Sequence, residues 1–359
     1  KRKIRCDEVR PGCDRCKVHG VACGGYRLPE AGKVMFIEEG VGRTRKDQNL
    51  LKQAVKSYHK AISGLLKTFQ SKNSDFATDD YVLATVTVLA NCEFFDEISR
   101  VGDGWTKHIE GQQQLLAARG PASIQSHLSL LLYSNMRHGA LSHALLVRRA
   151  SFMGTAEWRS VSWRAPYVDA ATILYDSALQ VPAILERYDQ LTANDKVEKI
   201  DAILEDAAKL EREMRVWFID YQIRSRWNEH KLVELAPLDV FETFVSLCPD
   251  RTLEEAYVFP TFMVSYLICV YWDVMHFLRT TVQKLHMAKH KRNTTWYADA
   301  EEGVQEAELR EYVMNLCRCF PYFCEPASSS TGHIGMFLPL RTAAFYFMEH
   351  GDWKMLKWC

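Results

Sequence analysis

The feature that most constrains this chain is a set of four cysteines near its start: Cys6, Cys13, Cys16 and Cys23. Two residues separate Cys13 from Cys16, and six residues separate each of these from the next cysteine outward. Two thiolates at the closer spacing can bind one zinc ion tetrahedrally. Because this short segment has almost no apolar core, we expect it to need bound metal in order to fold. Four buried or disulfide-bonded cysteines are the alternative, which the spacing and the basic context favour less.

The same segment carries surplus positive charge. Seven cations and three carboxylates among the first 17 residues give a net charge of +4, whereas the whole chain of 359 residues balances 45 Lys and Arg against 45 Asp and Glu. Local surplus charge on a small metal-stabilised segment is typical of proteins that bind a polyanion, most plausibly DNA.

With these residues the segment resembles the fungal binuclear zinc-cluster (Zn(2)-C6 fungal-type) transcription factors, whose six cysteines form two C-x2-C-x6-C halves. The stretch from Cys13 to Cys23 matches the second half, KRKIRCD matches the end of the first, and Pro11 occupies the place of a loop proline. The two other cysteines are expected upstream of Lys1, so we expect the chain to begin inside its cluster.

The resemblance implies zinc as the cofactor, with two ions in the complete cluster and an incomplete ligand set in this chain. It implies that Cys13 bridges both zinc ions and that Cys6, Cys16 and Cys23 each bind one. A single zinc bound by all four cysteines is the alternative.

The resemblance also assigns DNA contacts. It implies that Lys3, with Arg2 beside it, contacts a CGG triplet, since such cations can donate to the N7 and O6 atoms of guanine. Arg5, Arg15 and Lys17 are expected to contact phosphates, which give affinity and register. The run KRKIR can also be read as a solvated charge run or as a nuclear import signal.

The rest of the chain is predicted to be mostly α-helical. We predict a partial zinc-cluster domain over 1–26, a linker over 27–47 and a large all-helical domain over 48–359, with no alternating strands of useful length. The helices are predicted near 50–66, 79–98, 103–120, 122–150, 166–190, 195–226, 238–247, 256–291, 302–320 and 335–349.

A second resemblance lies in the helical part. The stretch 104–121 resembles a W-x2-H-x2-G-x3-L-L pattern of the fungal-specific transcription factor regulatory domain. The C-terminal stretch that begins at Cys317 also resembles that domain. The residues that match the pattern are Trp105, His108, Gly111, Leu115, Leu116 and Gly120. We expect Gly111 to permit a close helix approach, His108 to form a hydrogen bond in the core, and Pro339 to begin a late helix.

Two patterns leave alternatives open. An apolar row from Ile200 to Trp217 repeats every three or four residues, which predicts either packing inside the chain, the favoured alternative, or a dimer seam. The cysteines Cys317, Cys319 and Cys324 are expected to be small core residues rather than a metal site.

Membrane and enzyme functions are disfavoured. The uncharged run 256–272 is shorter than a bilayer span and contains Pro260, so it predicts a buried helix. There is no nucleophile elbow, phosphate-binding glycine loop or His-Glu-x-x-His motif. His286 and His290 are four residues apart but lie in an exposed basic stretch, which favours a solvated helix end.

We therefore predict a nuclear, zinc-dependent, sequence-specific DNA-binding regulator of RNA polymerase II transcription, and not an enzyme. Its expected partners are DNA with CGG-containing sites and co-regulators of the transcription machinery; dimerisation stays open, and no membrane is involved. The alternative is an all-helical protein-interaction or small-molecule-sensing module that does not bind DNA in this form.

Overall fold

The structure is a computed structural model that describes residues 48–70, 79–92, 104–165, 168–224, 232–292 and 304–359. The chain divides into two compact units, residues 1–76 and 77–359. The first contains helix α1, Gln48–Gln70, which carries apolar residues at helical spacing.

The second unit is built almost entirely from helices, which confirms the predicted fold class. The first six are α2 (Asp80–Cys92), α3 (Gly104–Arg119), α4 (His127–Val147), α5 (Ala156–Ser162), α6 (Ala170–Ala178) and α7 (Val181–Asp189). They are followed by α8 (Val197–Arg224), β1 (Glu234–Pro237), α9 (Glu242–Leu247), β2 (Glu255–Val258), α10 (Phe262–Arg292), α11 (Glu306–Cys324), α12 (Ser329–Glu349) and α13 (Trp353–Trp358).

Helix α10 is the central element of this unit. It packs against α6, α7, α8, α11 and α12, and most of its residues from Ser265 to Leu285 are buried. A helix surrounded on nearly all sides has to be apolar around its circumference, so the apolar run of the sequence forms the core. Among the described helices, none has the length and apolar character needed to cross a membrane.

The apolar row of α8 packs within the chain. Ile200, Ile203, Ala207, Leu210, Met214 and Trp217 are all buried, and the helix contacts α6, α7 and α10. The row is therefore occupied by intramolecular contacts, as the favoured alternative predicted.

A two-stranded antiparallel sheet corrects the prediction that useful strands are absent. Strands β1 and β2 pair antiparallel, with Glu234 opposite Val258 and Pro237 opposite Glu255, and β2 packs on α11. The helix predicted from residue 256 therefore begins at Phe262. Pro260 explains the difference, because a proline disfavours helical geometry in the residue before it.

The single helix predicted over 166–190 is divided into α6 and α7. The side chain of Asp169 caps α6 by accepting a hydrogen bond from the Thr172 amide at 2.7 Å. Pro182 lies in the first turn of α7, where its missing amide hydrogen costs nothing. Because a proline is favourable only in the first turn, α7 begins as a separate helix. The short helices α5 and α13 were not predicted.

Other prolines do not interrupt helices as expected. Pro339 lies inside α12, which begins ten residues earlier at Ser329, so the prediction that it begins a helix is wrong. Pro321 likewise lies inside α11. Packing around both helices compensates for the hydrogen bond that each proline removes, since buried contacts contribute more to helix stability in proteins than propensity does.

The close helix approach expected at Gly111 occurs at another glycine. Among the described residues, a Cβ atom at Gly111 would meet nothing within 4 Å, whereas a Cβ atom at Gly139 of α4 would lie 2.6 Å from Cδ1 of Ile109. Gly120 ends α3 as predicted, with a positive φ of 71°, which is accessible to glycine without strain.

Candidate functional sites

The predicted zinc and DNA residues lie outside the described residues. These are Cys6, Cys13, Cys16 and Cys23 for zinc, and Arg2, Lys3, Arg5, Arg15 and Lys17 for DNA. Within the described ranges, no group of three or more His, Cys, Asp or Glu side chains could hold a metal ion. Cys317 and Cys319 are fully buried in α11, as expected for small core residues, whereas Cys324 is half-buried.

A buried ion pair connects three helices of the second unit. Arg137 of α4 is 2% exposed and forms a salt bridge with Asp176 of α6. The carboxylate also accepts a hydrogen bond from Nε1 of Trp163 at 2.9 Å, and the guanidinium donates to the carbonyl of Thr172 at 3.1 Å. Each charge therefore has a further hydrogen-bond partner, as a buried ion pair requires, while Nε of Arg137 has none among the described residues.

Aromatic rings enclose this pair. The Arg137 guanidinium lies 5.5 Å from the ring centroid of Tyr175 and 6.0 Å from that of Tyr133, within the range of a cation–π interaction. The hydroxyl of Tyr133 donates to the carbonyl of Trp158 in α5 at 2.7 Å. Because no side chain here is both exposed and reactive, the arrangement fits a structural connection between α4, α5 and α6.

A second ionic cluster joins α8, α10 and α11. Arg279 donates to Glu211 at 2.8 Å and to Glu308 at 2.9 Å, and Arg215 contacts the same two carboxylates at 2.8 Å. Burial opposes ionisation of Glu308, but its hydrogen bonds to Arg279 and Arg215 outweigh this effect and lower its pKa. The alternating charges cancel within the cluster, so it too stabilises helix packing.

A cavity of about 300 Å³ lies between the end of α4, the middle of α10 and the second half of α12. Apolar side chains from all three helices line it, among them Leu145, Phe277 and Leu338. Cavities of this size with a few polar groups are typical of small-molecule sites.

Polar side chains of α10 also line this cavity. His276 is 8% exposed, and its Nδ1 atom, like the hydroxyl of Thr280, has no hydrogen-bond partner in the described part of the chain. Burial lowers the pKa of His276 to about 4, although the Leu309 carbonyl and the Glu306 carboxylate favour its protonated form. The imidazole is therefore neutral at pH 7 and presents one acceptor nitrogen.

One turn before His276, Asp273 occupies the core. It is 2% exposed, and burial raises its pKa to about 7, although the nearby hydroxyl of Thr342 favours the ionised form. A carboxyl group with so perturbed a pKa titrates near neutrality.

Comparison with known protein families identifies the N-terminal segment. Residues 1–32 match the family model of the fungal Zn(2)-Cys(6) binuclear cluster domain. This domain binds two zinc ions, and Cys6, Cys13, Cys16 and Cys23 lie within the matched range. Thiolates at C-x2-C spacing are suitable zinc ligands, and the chain covers part of the cluster's ligand set. Comparisons with curated proteins and with solved structures found no match.

The match indicates a zinc-dependent DNA-binding transcription factor rather than an enzyme. The cavity and the Arg137–Asp176 pair were not predicted. The one signal for the cavity in the sequence is the position of His276, a polar residue that follows a long apolar run and continues the same buried helix.

Proposed function

We propose that this protein is a nuclear, sequence-specific DNA-binding regulator of RNA polymerase II transcription that reads CGG-containing sites through its N-terminal zinc cluster. The observation that carries the proposal is the match of residues 1–32 to the binuclear cluster domain. The local net charge of +4 in a chain of zero net charge supports it, because phosphate neutralisation supplies much of the affinity for DNA.

In this proposal the cations of the cluster have two roles. Lys3 and Arg2 contact the bases of the CGG triplet, since their donors match the acceptors of guanine in the major groove. Arg5, Arg15 and Lys17 contact phosphates and set the register of the cluster on the duplex.

We also propose the domain layout of 1–26 for the cluster, 27–47 for the linker and 48–359 for a fungal-specific transcription factor regulatory domain. Its support is the pattern that includes Trp105, Leu115 and Leu116 in α3, a helix in which both leucines are buried. Co-regulators of transcription, and a second copy of the chain, are the partners to test.

Zinc content tests the cluster. We expect the protein with a complete six-cysteine cluster to contain two zinc ions per chain by elemental analysis, and Cys13→Ser or Cys16→Ser to reduce the zinc per chain because each removes a thiolate ligand. Cys248→Ser is the control, since this cysteine is a free thiol in the second unit. Absence of zinc from the protein with the complete cluster, or equal zinc in all its variants, would overturn the cluster.

DNA discrimination tests the base contact. We expect Lys3→Ala to weaken binding to a CGG site by about 1–3 kcal/mol while leaving binding to a scrambled site nearly unchanged. Lys33→Ala, a matched loss of one cation beyond the matched range, should not change the ratio of the two affinities. A Lys3→Ala variant that keeps full discrimination would refute the assignment of Lys3.

A second candidate is supported by the cavity between α4, α10 and α12: a small-molecule-sensing helical module. It is compatible with DNA binding in the same chain, but it does not require it. Zinc and DNA measurements test the first candidate, and ligand binding at the cavity tests the second.

A further inference from the structure

The mouth of the cavity carries unbalanced positive charge. Lys284 of α10 and Arg341 of α12 line it, and neither forms a salt bridge with a carboxylate among the residues that the structure describes. Arg148 also lines the cavity but is paired with Asp189 at 2.7 Å. Glu349 adds one carboxylate, so the lining side chains carry a net positive charge.

The guanidinium of Arg341 is held against an aromatic ring. It lies 4.9 Å from the ring centroid of Phe345, which orients a planar group with several donors beside the cavity. A guanidinium in this position suits a carboxylate, because its donors match the two carboxylate oxygens.

The walls of the cavity are apolar, and its interior contains a buried polar group. Phe277 and Leu338 line the cavity with apolar surface, whereas His276 is more than nine-tenths buried and has a ring nitrogen without a hydrogen-bond partner within the described ranges. An unpartnered buried acceptor costs free energy. A ligand hydroxyl that donates to the neutral imidazole would remove that cost.

We propose that this cavity binds a small amphipathic organic carboxylate. Its carboxylate contacts Lys284 and Arg341, its apolar body packs against Phe277 and Leu338, and a hydroxyl at the other end donates to His276. A volume of about 300 Å³ accommodates roughly ten non-hydrogen atoms, given that a water molecule occupies about 30 Å³ in the liquid. The inference deepens the second candidate function and rests on it, and it is independent of zinc and DNA.

The probe that matches these features is para-hydroxyphenylacetate, which has a carboxylate, an aromatic body and a distal hydroxyl. Two analogues each remove one feature: phenylacetate lacks the hydroxyl, and para-hydroxyphenylacetamide lacks the charge. Titration calorimetry on the full zinc-loaded chain, with each compound at up to millimolar concentration, should rank the parent compound above both analogues by roughly tenfold in Kd.

Variants of the chain locate the site. We expect Lys284→Gln and Arg341→Gln each to weaken binding of the parent compound by roughly three- to tenfold, and to have no effect on the neutral amide. Lys196→Gln removes an exposed lysine that does not line the cavity and should leave every Kd unchanged. We expect His276→Phe, which preserves an aromatic ring, to abolish the difference between the parent compound and phenylacetate.

Three results would overturn the inference: no binding of the parent compound, equal affinities for parent and amide in the wild-type chain, or equal losses in Lys196→Gln and Arg341→Gln. Displacement of the parent compound by inorganic phosphate at equal concentration would also overturn it, because that would show a non-selective anion site. If His276→Phe does not fold, the comparison of parent compound and phenylacetate on the wild-type chain still tests the hydroxyl contact.

Discussion

Asp273 provides a test of how burial governs the stability of the helical unit. Its folded-state pKa of about 7 exceeds its ordinary value of 3.8, so between these values the folded state holds a proton that the unfolded state releases. The free energy of unfolding therefore falls as pH rises through this window, and the loss is complete above the folded-state pKa. Asp273→Asn keeps the shape of the protonated acid without its titration.

The magnitude follows from the pKa difference. Between pH 5 and the folded-state pKa of about 7, the folded state binds nearly one more proton than the unfolded state. Each pH unit in this interval changes the free energy of unfolding by about 1.4 kcal/mol. We therefore expect the stability of Asp273→Asn relative to wild type to increase by about 2–3 kcal/mol between pH 5 and pH 8. Burial lowers the pKa values of His276 and the half-buried His138 to about 4. Their contribution to stability falls as pH falls instead, and it is common to both proteins.

Urea unfolding at several pH values, followed by tryptophan fluorescence, measures this difference. All nine tryptophans follow residue 77, so the signal reports the second unit. Asp239→Asn, at an exposed position, is the matched control. It should leave the free energy of unfolding unchanged at both pH 5 and pH 8. A stability difference between wild type and Asp273→Asn that is the same at pH 5 and pH 8 would refute the reasoning.

Two further predictions concern packing. Arg137→Met should lower the free energy of unfolding by about 3–5 kcal/mol, because it leaves the Asp176 carboxylate buried without its charge partner. Adding Asp176→Leu should recover much of this loss in a double-mutant cycle. A loss below about 1 kcal/mol in Arg137→Met alone would contradict the role of the pair. Gly111→Ala should raise the free energy of unfolding by about 0.5–1 kcal/mol through helix propensity. Gly139→Ala should not, because its Cβ atom would lie 2.6 Å from Ile109. The melting temperatures of the two variants test this difference, and an equal gain in both would contradict the close contact at Gly139.

Periodic patterns in the sequence predicted the helices well where one face is apolar. The row from Ile200 to Trp217 was expected to be buried, and all its apolar members are buried in α8. Glycine and proline were less informative, because their effect depends on what surrounds them. Gly120 ends a helix as predicted, yet Pro321 and Pro339 lie inside helices, where packing outweighs the local preference.

The two-stranded sheet shows a similar limit. The apolar stretch that contains β2 and the start of α10 was expected to be one helix, since short apolar strands and buried helices look alike in a sequence. The stretch forms strand β2 because it pairs with β1, which lies about twenty residues earlier, and packs on α11. Neither contact is visible in the local pattern.

The sequence by itself determined the zinc-cluster character of the N-terminal segment and the helical class of the rest, because ligand spacing and helical periodicity are local properties. The tertiary structure alone decided which polar groups meet in the core: Arg137 with Asp176, and His276 with the cavity. Those partners are distant along the chain and belong to different helices. Only packing brings them together, and only burial gives Asp273 and His276 their perturbed pKa values, since desolvation depends on the surroundings of a group and not on its sequence neighbours.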